Sequence, residues 1–221
     1  MTDGSGARQF HLFIGNKNYS SWSFRPWIGL RHKEIPFTEE VVPFDFQHGN
    51  PRFRAFSPTM KVPVLKDGDL TVWDSLAILE YAADVYPSHG LWPADVKARS
   101  RARAISAEMH SGFTALRGAC PMNMRRPVER LVVDDAVKAD VARIVNIWRD
   151  CLEVSGGPFL FGGFTIADAM YAPVVSRFGT YTLTEDPVAD AYGATLRETE
   201  AWKTWETDAL KETWIVPEDE I

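Results

Sequence analysis

KVPVLKDGDLTVWDSLAILEYAADVYP, residues 61–87, is the stretch on which the fold turns. Val62–Leu65 and Leu70–Trp73 are short apolar runs. Lys66-Asp67-Gly68-Asp69 between them is turn chemistry, so the pair reads as a hairpin. Asp74 and Ser75 follow at once, and both residue types cap helix N-termini. Leu76, Leu79, Ala83 and Tyr86 then mark the buried face of a helix. Upstream, Phe10–Ile14 reads as a buried strand. Ser20–Ser23 are helix-start residues, with Phe24, Trp27, Ile28 and Ile35 at helical spacing behind them. Phe37–Val42 is a second strand candidate, and 43–58, punctuated by Pro, Gly and Asn, is a long connection. The order strand, helix, strand, connection, hairpin, helix predicts a mixed sheet with helices packed on it, an α/β unit.

Downstream the pattern changes. PSHGLWP, residues 87–93, is a break rich in turn residues and reads as an interdomain linker. The chain therefore divides into an α/β domain over 1–86, a linker over 87–95 and an all-helical domain over 96–221. Ile105, Met109, Phe113 and Leu116 predict one long helix over about 96–117. Further helices are expected over about 133–154, stopped by Ser155-Gly156-Gly157-Pro158, over 165–180, and over 195–213. Thr165–Asp168 fits a capping box, a structural device.

The composition excludes several classes. Lys plus Arg is 24 and Asp plus Glu is 30 in 221 residues, a net charge of -6. That balance is poor for non-specific nucleic-acid binding, which neutralises phosphates. Lys97, Arg99, Arg101 and Arg103 read as a solvated helix face. No apolar run reaches the roughly 18 residues of a membrane span. The first seven residues read as a lead-in without the apolar core of a secretory signal. Cys120 and Cys151 form no CxxC pair, so no disulfide framework is expected, and the cytoplasm is the simplest setting. The histidines show no HExxH spacing, so no metal is expected. No GxSxG occurs, which disfavours a hydrolase. Eight Trp and 13 Phe belong either to a large aromatic core or to the walls of an apolar ligand site.

Four segments in this order carry a family resemblance: NYSSWSFRPWIGL at 18–30, KVPVL at 61–65, Asp74-Ser75 with LAILEYAADVYP, and TIAD at 165–168. Together they resemble a glutathione transferase across nearly the whole chain. The SSWS segment is most similar to the serine-type, zeta-like classes, which include maleylacetoacetate isomerase, and to bacterial transferases with a YSSWS pattern. The resemblance implies a thioredoxin-like N-terminal domain, a helical C-terminal domain and a homodimer. It also implies glutathione as co-substrate and a small apolar electrophile as second partner.

Each site residue has a physical reading beside the inherited one. In the family the Val62–Pro63 bond is cis, and Val62 offers its backbone N–H and C=O to the peptide. Asp74 and Ser75 open a helix, where free N–H groups and a hydroxyl suit a carboxylate. In the family this pair holds the γ-glutamyl end, although most members carry Glu where Asp74 stands. Lys61 is either a partner of the glycine carboxylate or a solvated lysine. Ser20, Ser21 and Ser23 surround the first helix start. A hydroxyl and a helix N-terminus both favour a thiolate over a thiol of ordinary pKa near 8.5. The family pattern places the catalytic serine on Ser20, with Ser23 and Ser21 as alternatives. Trp22 stands where related classes carry cysteine, which argues against thiol-transferase chemistry and breaks the zeta signature. Trp22, Met109, Phe113 and Met122 are the expected walls of an electrophile pocket. Arg25 is expected to serve a neighbouring acid, and His110 reads as either a packed or a cleft-facing histidine. The leading reading is a transferase that activates the glutathione thiol. The alternatives are a glutathione-dependent cis–trans isomerase of the maleylacetoacetate type and a non-catalytic scaffold.

Overall fold

The computed structural model describes residues 9–221, so the lead-in reading of the first seven lies outside the described residues. The sheet has four strands in the order β2-β1-β3-β4. β1 (Phe10–Ile14) runs parallel to β2 (Phe37–Val41) and antiparallel to β3 (Val64–Asp67), which pairs antiparallel with β4 (Leu70–Trp73). This is a thioredoxin-like mixed sheet. β1 alternates as a strand with two unlike faces must. Phe10, Leu12 and Ile14 enter the main core, while Phe13 stacks on Phe56 at 4.3 Å under the 43–58 connection. β3 extends to Asp67, so the hairpin turn is Gly68-Asp69 alone, with Gly68 at φ 58°.

α1 (Ser21–His32) packs on α2 (Ser75–Val85) and on α6 (Ile166–Tyr181) of the helical half. Gly29 sits where the three meet. A Cβ there would lie 2.6 Å from Leu79 Cδ2 and 3.4 Å from Ala169 Cβ. Ile35 is not part of α1; it is buried in the loop beyond the helix end. In α2 the fully buried face is Ser75, Ile78, Leu79 and Ala82, so Leu76, Ala83 and Tyr86 flank the face rather than form it.

The expected helix over 96–117 is two helices, α3 (Val96–Ser111) and α4 (Thr114–Ala119). Phe113 takes φ 54°, which ends the helical path, and Arg117 donates to the freed carbonyls of Gly112 at 3.0 Å and His110 at 3.5 Å. α5 (Asp135–Ser155) follows and ends at Gly156 in the left-handed region. The expected helix over 195–213 is α8 (Glu200–Lys211), and a separate helix that was not expected, α7 (Pro187–Arg197), precedes it. Asp186-Pro187 starts α7, and Thr199 caps α8 by accepting from Trp202 N–H. Leu91, in the stretch between α2 and α3, is buried, and its C=O accepts from Ile166 N–H at the start of α6.

One continuous core joins both halves. It absorbs most of the aromatic excess: Phe24 stacks on Trp205 at 4.7 Å and meets Trp202 edge-on at 5.2 Å, while Trp148 packs against Tyr171, Phe178 and Tyr192. No helix among the described residues is long and apolar enough to cross a membrane.

Candidate functional site

The hairpin, the α1 and α2 N-termini, α3 and α4 converge on a cleft with two compartments that share Trp22, Lys61, Val62 and Arg117. The first, about 690 Å³, also takes in Pro63, Asp74, Ser75 and His110. The second, about 570 Å³, takes in Ser20, Ser21, Met122, Arg177 and Asp219, together with Phe44 and Phe53 from the long connection and Met60 just beyond it.

In the first compartment the Val62–Pro63 bond is cis. Neither the N–H nor the C=O of Val62 makes a backbone hydrogen bond to another described residue. The Ser75 hydroxyl is buried and likewise without a partner. Buried polar groups are normally paired, so these atoms mark a place for a ligand that supplies the complement. Asp74 sits at φ 77°. Its Oδ1 accepts from Leu76 N–H at 2.9 Å and Ala77 N–H at 3.2 Å, which caps α2. Its Oδ2 lies 2.6 Å from His110 Nε2 on α3. His110 thus faces the cleft, and its ring meets Trp22 edge-on at 5.3 Å. Lys61 is exposed and pairs with no acid among the described residues.

At the junction, Ser20 is the N-cap of α1. Its hydroxyl is at 2.7 Å from that of Ser23, which also accepts from Gly15 N–H at 3.1 Å. Ser20 and Ser21 line the second compartment; Ser23 is fully buried and lines neither. Trp22 is flanked by two guanidinium groups, Arg25 at 4.3 Å and Arg117 at 4.7 Å from its ring centre. Arg25 does not serve an acid. It is buried, donates to the Met170 and Ser21 carbonyls, and leaves Nη2 unpartnered. Burial, then the charges of Arg177 and Arg117, hold its pKa well below the ordinary value.

The expected pocket walls divide. Trp22 and Met122 line the second compartment. Met109 and Phe113 are buried in the main core: Met109 shares the buried face of α3 with Ala102 and Ile105, and Phe113 follows the break after Ser111. Arg117, Arg177, Asp219 and the aromatic rings of the connection were not expected there. Arg177 is buried and donates through Nε to Cys120 C=O at 2.7 Å. Burial, then Arg117, lowers its pKa to about 10, so it remains a cation at neutral pH. Burial raises Asp219 to about 6. An arginine inside the apolar run AMYAPVVSRFGTY was the sign available in the sequence, since buried charges seldom lack a purpose. The cleft thus gathers Lys61, Arg117 and Arg177 in a chain whose net charge is -6. Among the described residues no group of three or more His, Cys, Asp or Glu is placed to hold a metal ion.

Comparison with known proteins agrees with this geometry. Residues 19–85 match the family model for the glutathione S-transferase N-terminal domain. A maleylpyruvate isomerase of Ralstonia is 32% identical over 182 residues, 80% of this chain and 78% of that protein. A maleylacetoacetate isomerase of Rattus norvegicus is 30% identical over 164 residues, 72% and 74% of the two chains. Among solved structures, a glutathione transferase homologue from Burkholderia with bound glutathione superposes with a TM-score of 0.71 at 21% identity, covering 91% of this chain and 98% of that one. A thioredoxin-like sheet, a helical second half and relatives of this extent lead to one conclusion: the chain is a glutathione-dependent enzyme of the glutathione S-transferase family.

Proposed function

We propose that this enzyme is a glutathione-dependent cis–trans isomerase of an unsaturated, maleyl-type carboxylic acid, in preference to a transferase for neutral aromatic electrophiles. The observation that carries this reading is the buried Arg177 guanidinium in the second compartment, with Arg117 beside it; Asp219 lines the same compartment, but no acid among the described residues is within ion-pair distance of either arginine. Such a pocket suits a carboxylate and disfavours a neutral ring. The two isomerases to which the chain is similar point the same way.

In this reading residues 1–86 bind glutathione, and residues 96–221 supply most of the acceptor pocket and contribute to a homodimer. The unpartnered Ser75 hydroxyl and the open Val62 backbone fit a tripeptide. Ser75 and the α2 N-terminus take the γ-glutamyl carboxylate, Asp74 its ammonium, Val62 the cysteinyl backbone, and Lys61 the glycine carboxylate. When bound, glutathione supplies a thiolate that adds reversibly to the double bond and so permits rotation about it. The Ser20 hydroxyl, which donates to Ser23 Oγ in the free protein, turns to that sulfur when glutathione is bound. Arg177 and Arg117 anchor the carboxylate and favour the negative charge that builds up during addition.

The discriminating measurement is turnover with glutathione far below the concentration of a maleyl-type acid. An isomerase returns glutathione, so product exceeds glutathione many-fold; product capped at one equivalent would establish conjugation instead. Arg177→Met should lower kcat/KM for the acid by about 10²-fold, the loss of a charged hydrogen bond and ion pair. The same variant should leave conjugation of a neutral aryl halide within a few-fold. Equal losses on both substrates would remove the anchoring role.

A further inference from the structure

Asp74 divides its two oxygens between two tasks. Oδ1 is committed to the Leu76 and Ala77 amides, and Oδ2 faces His110 Nε2 at 2.6 Å. His110 stands on α3, in the other half of the molecule. Its ring is held edge-on against Trp22, and its own carbonyl is held by Arg117 Nη1 at 3.5 Å. Both groups are part-exposed at the cleft. A carboxylate on the short Asp side chain would otherwise rotate between solvent and cap. With one oxygen on the cap and the other on an imidazole from across the cleft, its plane has a single orientation.

We infer that His110 is a positioning residue: from the helical half, it sets the direction of Asp74 Oδ2 so that this oxygen meets the α-ammonium of glutathione. The inference rests on the reading of Asp74 given under Proposed function. The imidazole donates Nε2–H to one lone pair of Oδ2, and the second lone pair is left for the ammonium. A neutral ring suffices for this. Fine recognition of the amine end is thereby shared between the two halves, and the shorter reach of Asp74 relative to Glu is met by a partner that fixes it.

The test compares glutathione with its deamino analogue, in which a glutaryl group replaces the γ-glutamyl group. Both are titrated calorimetrically into the wild-type protein and into His110→Ala, His110→Gln and Asp74→Ala. His110→Ala should weaken glutathione by about tenfold, the scale of one charge-assisted hydrogen bond. It should leave the deamino analogue within twofold, because that ligand has no ammonium to place. His110→Gln, which keeps an N–H donor, should recover most of the loss. A double variant carrying both His110→Ala and Asp74→Ala should be no worse than Asp74→Ala alone, since both act on one contact. A His110→Ala that weakens both ligands equally, or neither, while Asp74→Ala still loses its preference for the amine, would overturn the role of His110 and leave Asp74 in place. An Asp74→Ala that keeps the full preference would show that the ammonium is bound elsewhere, and both assignments would fall. Melting curves of each variant exclude loss of fold as the cause.

Discussion

Ser20→Ala will raise the pKa of enzyme-bound glutathione by one to two units and cut turnover at neutral pH by roughly 10- to 100-fold. The substitution removes one charge-assisted hydrogen bond to a thiolate, about 1.5–3 kcal/mol, from a site that otherwise stays intact. The α1 N-terminus remains and still favours the anion, so the thiol will not return fully to its solution value. The fold will survive, because the Ser20 oxygen is a long cap on Ser23 N–H at 3.4 Å and a lost cap costs typically about 1 kcal/mol. Thiolate absorbance against pH reads the shift directly, and turnover should recover as pH rises past the new pKa. Ser23→Ala should give a smaller effect on the same titration, since Ser23 is buried and reaches the sulfur only through Ser20. Ser21 lines the cleft with no hydrogen bond from its own hydroxyl to another described residue, so its removal separates exposure from function. An unchanged titration in Ser20→Ala, with a shift in Ser21→Ala, would transfer the role.

The parts of this site that were legible in the sequence are those built by consecutive residues. A hairpin that runs straight into Asp74-Ser75 declares its own helix N-terminus, and the structure places both residues there. Serines clustered before an apolar helical run declare another. The mixed sheet with its packed helices and the helical second half followed from the change in pattern near residue 87, and the thioredoxin-like character of the sheet from the family resemblance. What was not legible depends on rotation and tilt. Met109 and Phe113 lie on a periodic stripe with Ile105 and Leu116 that runs across the turn after Ser111, although Gly112, which caps α3, was a readable stop signal. The seam between α7 and α8 was missed for a similar reason: apolar spacing continues across Glu198-Thr199, although Pro187 and Thr199 were readable start signals. The acceptor compartment draws on Phe44, Met60, Arg117, Arg177 and Asp219, which come from distant parts of the chain. Their convergence is set by how helices pack, and a one-turn change in any helix would replace the wall it contributes. His110 shows the same limit, because its partner Asp74 is 36 residues away on a different element.

Asp168→Ala will destabilise the protein by about 3–5 kcal/mol and lower the melting temperature by about 10 °C. The expected capping box is present at the start of α6, but it does more than cap. Oδ2 accepts from Thr165 N–H at 2.7 Å and from the Thr165 hydroxyl at 3.0 Å, and Oδ1 accepts from Leu160 N–H at 3.0 Å and from the Tyr192 hydroxyl at 3.1 Å. The carboxyl is fully buried, so its loss strands four donors where water has little access. α6 carries Arg177, and its face packs on α1 behind the serines, so fraying at Thr165 would loosen both compartments. The pH dependence tests the same group independently. Burial raises Asp168 from 3.8 to about 6, opposed by its four hydrogen bonds. The folded state then holds this proton more tightly than the unfolded state does. Its contribution to stability is fully present below about pH 4, declines as pH rises through about 6, and is constant above that. Asp219 shifts the same way to about 6 and adds to the decline. Asp168→Asn should therefore flatten the stability profile between pH 4 and 6 without abolishing its slope. It should cost less than Asp168→Ala, because one amide oxygen still accepts while the amide nitrogen faces two donors. Melts of the three proteins at pH 4.5 and pH 7 decide it: if Asp168→Asn keeps the full wild-type slope, the slope belongs to Asp219 and other groups, and the buried carboxyl is ionised throughout.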